Sequence, residues 1–186
     1  MGYAQARQSS RDSIPVVDIT PLRDGSNPHL VAQQLHAASK NLGFIYIKGH
    51  GIPPALINDA SARAFEFFRA SDEVKRSVLI SGKHRGWLKP GASKMQDEVP
   101  ADLKESFIWG IEDDQGNTPD DHPLRGPNQW PASVPALQPL AIDYFRHAHT
   151  VAMHLMRGFA LGLNLDEDFF LRSCNTPMSR LSLIHI

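Results

Sequence analysis

The sequence predicts an α+β fold, because strand patterns and helical patterns both occur in one chain of 186 residues but do not alternate regularly along it. Near the start, two short apolar strand patterns enclose a helical one. Further on, apolar residues recur every three or four positions between residues 139 and 161, which indicates a long amphipathic helix. With 41% apolar and 21% charged residues, the chain is large enough to bury the core of one domain.

Charge and cysteine content limit the possible partners and compartments. The 19 basic and 20 acidic side chains give a net charge of -1, which argues against nonspecific nucleic-acid binding. Cys174 is the single cysteine, so no intrachain disulfide can form. Residues 1–13 are polar, do not resemble a signal peptide, and are expected to form a flexible tail. We therefore predict a cytoplasmic protein that binds neither nucleic acid nor a membrane.

The first elements follow from turn and capping residues. Residues 14–19 form a short apolar strand pattern, and Asn27 followed by Pro28 predicts the start of a helix that Gly43 ends. A second strand, which we expect to be buried, runs from Gly43 into the turn Gly49-His50-Gly51. The order is strand, helix, strand.

The middle of the chain alternates helices with long loops. A helix is predicted over residues 54–68, and Ser71 caps a short one that follows it. Residues 81–102 are rich in Gly, Pro, Lys and Ser and are predicted to be loop. Residues 105–111 are predicted to form a strand, and residues 113–135 a second loop.

The last third of the chain contains the clearest element, a helix over about residues 139–161 that Gly162 ends. Asn164 and Glu167 have the spacing of a capping box, which predicts a short helix through Phe170. Residues 180–186 are predicted to be a strand. The apolar stripe of the long helix consists of Leu137, Leu140, Ala141, Tyr144, Ala148, Val151, Leu155 and Phe159.

Eight segments in this order resemble the N-terminal half of isopenicillin N synthase-like oxygenases, including the bacterial ethylene- and succinate-forming members. Each segment is weak evidence alone, whereas all eight in order make the resemblance specific. They are residues 14–18, 43–53, 67–75, 85–87, 102–107, 130–131, the long helix with Leu163, Phe169 and Phe170, and residues 180–185.

The resemblance implies an iron(II)- and 2-oxoglutarate-dependent oxygenase built on a double-stranded jelly-roll, with most of the jelly-roll missing from this chain. Such enzymes oxidise a small molecule with dioxygen and release succinate and CO2. The expected division is a tail (1–13), the N-terminal region (14–135), two helices that pack on the jelly-roll (136–179) and the first part of a jelly-roll strand (180–186).

The iron ligands of the family are not found in this sequence. The site needs two histidines and a carboxylate, and the family supplies the first pair as His-x-Asp, whose spacing points both side chains to one side of a strand. None of the nine histidines has Asp or Glu two residues later. Arg-x-Ser, which binds 2-oxoglutarate in the family, occurs at Arg7, Arg11 and Arg180, outside the expected region. We therefore assign no catalytic or metal-binding residue and expect the chain alone to bind neither cofactor tightly.

The histidines also admit structural interpretations, which we favour. His147 and His154 lie on one side of the long helix, but seven residues separate them by roughly 10 Å, too far to share one ion. His149 points elsewhere. His50 lies between two glycines, which indicates special backbone angles and a turn or packing role.

Three charged residues are candidates for a substrate pocket. By resemblance, Arg180 lies on a strand along the wall of the active-site barrel, where it could bind a substrate carboxylate, and an ion pair with a nearby Asp or Glu is an equal alternative. Arg85 and Glu105 lie in segments that the family places near the pocket mouth. For both, a solvated surface charge is the favoured alternative.

Two functional hypotheses remain open. The chain is either the N-terminal part of an oxygenase, inactive alone, or a catalytically dead remnant or interaction module. Without the jelly-roll, the apolar stripe of the long helix is expected to be exposed, to lower stability severely, and to favour self-association together with the edge of the terminal strand.

Overall fold

The computed structural model describes residues 13–92, 102–112, 122–174 and 178–186. The chain divides into two compact units, one formed by residues 1–51 and 150–175 (the first unit) and one by residues 52–149 and 176–186 (the second unit). The long helix α5 (Leu137–Gly162) contributes its first half to the second unit and its second half to the first. In the described ranges, no helix combines the length and apolarity that crossing a membrane requires.

The first unit contains a parallel pair of strands, β1 (Val16–Asp18) and β2 (Tyr46–Lys48), connected by α1 (Thr20–Arg23) and α2 (Pro28–Asn41). The predicted cap is confirmed, because the Asn27 side chain accepts a hydrogen bond from the backbone of Leu30. The expectation of a buried second strand is wrong at Tyr46, which is 51% exposed. The buried residues of the first unit include Val17, Ile19, Leu22, Val31, Leu35 and Ala160.

The turn after β2 requires glycine at two positions. Gly49 and Gly51 have φ angles of +68° and +78°, which residues with a side chain rarely adopt. The guanidinium of Arg23 donates a hydrogen bond of 2.6 Å to the carbonyl oxygen of Gly49, and a Cβ at Gly51 would overlap this guanidinium. The special backbone angles predicted around His50 are therefore confirmed.

The second unit contains α3 (Pro54–Phe68), α4 (Asp72–Arg76) and an antiparallel sheet with the strand order β3 (Gly86–Leu88), β4 (Glu105–Gly110), β5 (Arg180–His185). The prediction of loop throughout residues 81–102 is wrong at β3, because Gly86–Leu88 pairs with β4. Three residues are too few to give a periodic signal, so the pairing partner decides this conformation. Residues 93–101 and 113–121 of the predicted loops lie outside the described residues.

Helix α5 begins two residues before the predicted start and ends one residue after the predicted end. Its apolar stripe is not exposed as expected: Leu137, Ala141 and Val151 are buried, and the other five residues are half-buried. In the second unit, the first half of the helix joins an aromatic core. That core includes Phe67, Phe68, Trp87, Phe107, Trp109, Leu137, Ala141 and Phe145.

The end of α5 also differs from the prediction. Asn164 does not cap a following helix but adopts a left-handed conformation with φ of +57°. The backbone N–H of Leu165 donates to Ala160 and that of Asn164 to Leu161, at 2.9 and 3.0 Å, which is the hydrogen-bond pattern of a Schellman motif. Turns follow up to Phe170, and then a short 3-10 helix (Leu171–Ser173).

Candidate functional site

The sheet of the second unit has two chemically different faces. Strand β4 pairs with β5 over six residues, and alternate side chains point to opposite sides. One side, which we call the core face, packs on the aromatic core and carries Glu105, Phe107, Trp109, Leu181, Leu183 and His185. The other side, which we call the open face, carries Ser106, Ile108, Gly110, Arg180, Ser182 and Ile184.

On the core face, the buried carboxylate of Glu105 has three partners. Its Oε2 accepts hydrogen bonds from Nε1 of Trp87 at 2.7 Å and from Nζ of Lys75 at 3.1 Å. Its Oε1 lies 3.0 Å from Nδ1 of His185. These contacts join α4, β3, β4 and β5 through one side chain.

Aromatic rings enclose the same carboxylate. The His185 ring stacks on Phe68, with 5.2 Å between ring centroids and 14° between planes. Nζ of Lys75 lies 5.2 Å from the centroid of the Trp87 ring and donates to the carbonyl oxygen of Phe68 at 3.3 Å. The cation is thus fixed by a carboxylate, a carbonyl oxygen and an aromatic face.

The pKa of Glu105 is lowered. Burial alone would raise it, but the hydrogen bonds from His185, Trp87 and Lys75, together with the charge of Lys75, have the greater combined effect. The carboxylate is therefore ionised at neutral pH and forms an ion pair with Lys75, whose side chain is 12% exposed.

Arg85 lies at the opposite end of β4 and is also buried, with 3% of its surface exposed. Its Nη1 donates to the carbonyl oxygens of Lys83 and His84 at 3.4 and 3.3 Å, and its Nε has no acceptor. Burial lowers the pKa of the guanidinium, and the charge of Arg180 lowers it further, against a smaller effect of Glu112. The environment of Arg85 is electropositive and poor in acceptors.

Gly110 provides the space that Arg85 occupies. A Cβ at Gly110 would lie 2.8 Å from Cζ and 3.1 Å from Nε of Arg85, so a larger residue would displace the guanidinium. Gly110 is also the direct cross-strand partner of Arg180. The two arginines therefore come together around one glycine on the open face.

Glu112 is the carboxylate whose charge acts on Arg85, and it makes its hydrogen bonds to other groups. Oε1 of Glu112 accepts hydrogen bonds from Nδ2 of Asn128 at 2.8 Å and from Nε1 of Trp130 at 3.0 Å. The Asn128 side chain also bonds both backbone groups of Gly110, each at 2.9 Å. In the described part of the chain, neither Arg85 nor Arg180 forms an ion pair.

The structure separates the three predicted pocket residues into two groups. Arg85 and Arg180 come together, whereas Glu105 lies on the core face. The alternative of a solvated surface charge is wrong for Arg85 and Glu105, since both are buried. A pocket role for any of the three stays a prediction, and the three partners of Glu105 favour a structural role for it.

Sequence reasoning missed the partners Lys75, Trp87 and His185 and the role of Gly110. The contact between Glu105 and His185 spans 80 positions, so no local pattern marks it. The one available signal was the alternation within residues 105–110, which puts a charged residue on the same face as Phe107 and Trp109.

The described residues do not fit an iron site. Within these ranges, no group of three or more His, Cys, Asp or Glu side chains is arranged to hold a metal ion. The His149 ring stacks on Phe145, and Nε2 of His147 lies 4.0 Å from Oδ1 of Asp143. Burial, followed by the charges of Arg157 and Arg23, lowers the pKa of His154.

Comparison with known proteins gives one consistent result. The family model described as non-haem dioxygenase in morphine synthesis N-terminal matches residues 14–133. The 2-oxoglutarate-Fe(II) type oxidoreductase ppzC of Metarhizium rileyi is 28% identical over 95% of this chain and 52% of its own length. Isopenicillin N synthase of Streptomyces jumonjinensis is 31% identical over 84% of this chain and 49% of its own length. The chain thus spans about half the length of these relatives.

Solved structures agree with the sequence comparison. A full-length protein of Neurospora crassa, solved in complex with alpha-KG and thymine, matches with a TM-score of 0.77 and 23% identity over 95% of this chain and 56% of that one. A putative 2OG-Fe(II) oxygenase family protein of Caulobacter crescentus matches with a TM-score of 0.77 and 24% identity over 94% of this chain and 56% of that one. At these identities the likeness concerns the fold.

Proposed function

Because the chain belongs to the isopenicillin N synthase-like family of iron(II)- and 2-oxoglutarate-dependent oxygenases, we propose that it forms the N-terminal part of an enzyme that oxidises a small molecule. In the proposed reaction, dioxygen and 2-oxoglutarate are consumed, and succinate and CO2 are released. The observation that carries this proposal is the family match over residues 14–133. The expected division at residues 13, 135 and 179 is part of the proposal.

This chain would contribute a substrate-facing wall and its support. We propose that Arg180 and Arg85 face the substrate from the open face of the sheet, where an anionic group of the substrate would meet them. Glu105 acts from the core face: through His185 it fixes the end of β5, the strand that carries Arg180. A misplaced β5 would move Arg180, so Glu105 is a positioning residue in this proposal.

Iron would be held by residues outside these 186. The sequence has no His-x-Asp or His-x-Glu, and its described residues offer no set of two histidines and a carboxylate. When bound elsewhere in the enzyme, the metal would activate dioxygen. We accordingly propose that the 186 residues alone are inactive and bind neither iron nor 2-oxoglutarate tightly.

The alternative is an interaction module or catalytically dead remnant. The supporting observation is the strand order β3-β4-β5, in which β5 is an edge strand among the described residues. An edge strand offers unpaired N–H and C=O groups to another chain. In this alternative the partner pairs along β5, and a second copy of the chain is one possible partner.

Succinate formation tests the proposal. The purified chain is incubated with iron(II), 2-oxoglutarate and air, and succinate is measured with and without a panel of small carboxylic acids. We expect no succinate above the protein-free control, and succinate formation would refute the proposed inactivity of the chain alone. Reading the gene beyond codon 186 in all three frames distinguishes the hypotheses: His-x-Asp, a distal His and Arg-x-Ser support the oxygenase, and their absence supports the interaction module.

A further inference from the structure

Arg85 carries a buried positive charge that the described residues do not neutralise. Its Nε has no acceptor, and its Nη1 reaches two carbonyl oxygens at 3.3 and 3.4 Å, which are long hydrogen bonds. A buried charge is stable when it is paired or fully hydrogen-bonded. Among the described residues, no carboxylate forms an ion pair or a hydrogen bond with Arg85.

A second cation, Arg180, adds to the excess of positive charge at Arg85. Arg180 lies directly across from Gly110 in the β4–β5 pair, and the guanidinium of Arg85 lies over Gly110. Two like charges at one glycine repel each other unless an anion lies between them. Glu112 offsets this charge only in part, because its effect on the pKa of Arg85 is smaller than that of Arg180 and its Oε1 accepts hydrogen bonds from Asn128 and Trp130.

The orientation of the guanidinium indicates which anion fits. The atoms of Arg85 nearest a Cβ at Gly110 are Nη2, Cζ and Nε, so the guanidinium lies over Gly110, while its Nη1 faces the two carbonyl oxygens. The edge of the guanidinium away from Nη1 carries the parallel N–H groups of Nε and Nη2, and Nε has no acceptor among the described residues. This edge matches the two oxygens of a carboxylate. Arg180 is exposed and can bind the same group from the solvent side.

We propose that Arg85 and Arg180 together bind one carboxylate group of a small molecule beside Gly110 on the open face of the sheet. The inference rests on the proposed function, because it names carboxylic acids as the ligand class of that oxygenase. Two sources share this chemistry: the substrate, or 2-oxoglutarate itself. In either case the exposed Arg180 contacts the anion from the solvent side, and the buried Arg85 binds it from the interior.

The test follows the Nε–H signals of arginine in a ¹⁵N-labelled sample of the 186-residue chain. Propionate or 2-oxoglutarate is titrated at constant ionic strength without iron, so no turnover is involved. We expect the Arg85 signal, identified by its loss in Arg85→Lys, to shift with saturation. Because a charge-assisted hydrogen bond is lost, Arg180→Gln should weaken binding by about tenfold.

Controls and alternatives are built into the same titration. Arg69→Gln removes the exposed arginine that directly follows α3, and this variant should bind the carboxylate as tightly as the wild type does. Wild-type binding more than tenfold tighter for 2-oxoglutarate than for propionate identifies the oxoacid as the source, and equal binding identifies a substrate carboxylate. If Arg85→Lys does not fold, the signal is assigned by triple-resonance spectra of the wild type.

The proposal is overturned if the Arg85 and Arg69 signals shift by equal amounts throughout the titration. It is also overturned if Arg180→Gln binds the carboxylate as tightly as the wild type does. Because no iron or dioxygen is present, this failure is independent of the succinate assay. An active oxygenase with a silent Arg85 would refute the carboxylate site and leave the proposed function intact.

Discussion

Oε1 of Glu105 lies 3.0 Å from Nδ1 of His185, which joins the start of β4 to the end of β5 across 80 positions of sequence. The Glu105 side chain is buried, and the other oxygen of its carboxylate, Oε2, accepts hydrogen bonds from Trp87 and Lys75. One carboxylate thus organises the core face of the sheet, while the open face carries the two arginines.

Removing this carboxylate should destabilise the second unit. Glu105→Ala leaves Lys75, whose side chain is 12% exposed, without its shorter ion pair, and loss of one partner of a buried pair costs about 3–5 kcal/mol. The free energy of unfolding in urea measures this loss. Asp59→Asn, an exposed change on α3, should cost little, and equal effects of the two variants would show that Glu105 has no structural role.

The same group predicts a dependence of stability on pH. Because the pKa of Glu105 is lowered by folding, its contribution is complete above the pKa of the unfolded chain, near 4.5, and is lost as pH falls through the lower folded value. The urea midpoint should therefore decrease more steeply below pH 5 in the wild type than in Glu105→Gln. Parallel curves for the two proteins would contradict the lowered pKa.

Gly110→Ala tests the space for Arg85. The added methyl would collide with the guanidinium, and overpacking of this kind costs about 1–3 kcal/mol. In an Arg85→Met background the cost should decrease, since a flexible neutral side chain can move aside. Gly82→Ala, where no atom lies within 4 Å of the added group, is the matched control. An identical cost in both backgrounds would exclude the contact.

The Schellman motif at the end of α5 predicts an unusual substitution pattern. Asn164 has a φ angle of +57°, so Asn164→Gly should be neutral or stabilising. Asn164→Ala should cost about 1–2 kcal/mol, because a left-handed conformation is unfavourable for a residue with a Cβ. Thermal unfolding of both variants measures the difference, and the reverse order would support a capping role for Asn164.

Much of the fold could be predicted from the sequence, because helix caps and apolar periodicity are local signals. The predicted helix over residues 54–68, the cap at Asn27 and the long helix all agree with the structure. The α+β assignment within a jelly-roll oxygenase fold is confirmed by the structural neighbours. Strand β3 escaped prediction because three residues acquire their conformation from pairing.

The candidate site was predicted only in part. Charged residues in the right segments singled out Arg85, Arg180 and Glu105, but sequence distance hid which of them meet. Register decides this: Gly110 faces Arg180 on one side, and Glu105 faces His185 on the other. The expectation of an exposed apolar stripe on α5 was wrong, because helices and strands of the same chain already cover much of this stripe.

The central proposal is that these residues form the support and substrate wall of an oxygenase and not its iron centre. Anaerobic titration of the purified chain with iron(II), after a cooperative melt has shown that it is folded, tests this most directly. We predict no stoichiometric uptake at micromolar iron. One equivalent of tightly bound iron, lost on substitution of a defined pair of its histidines, would contradict the account.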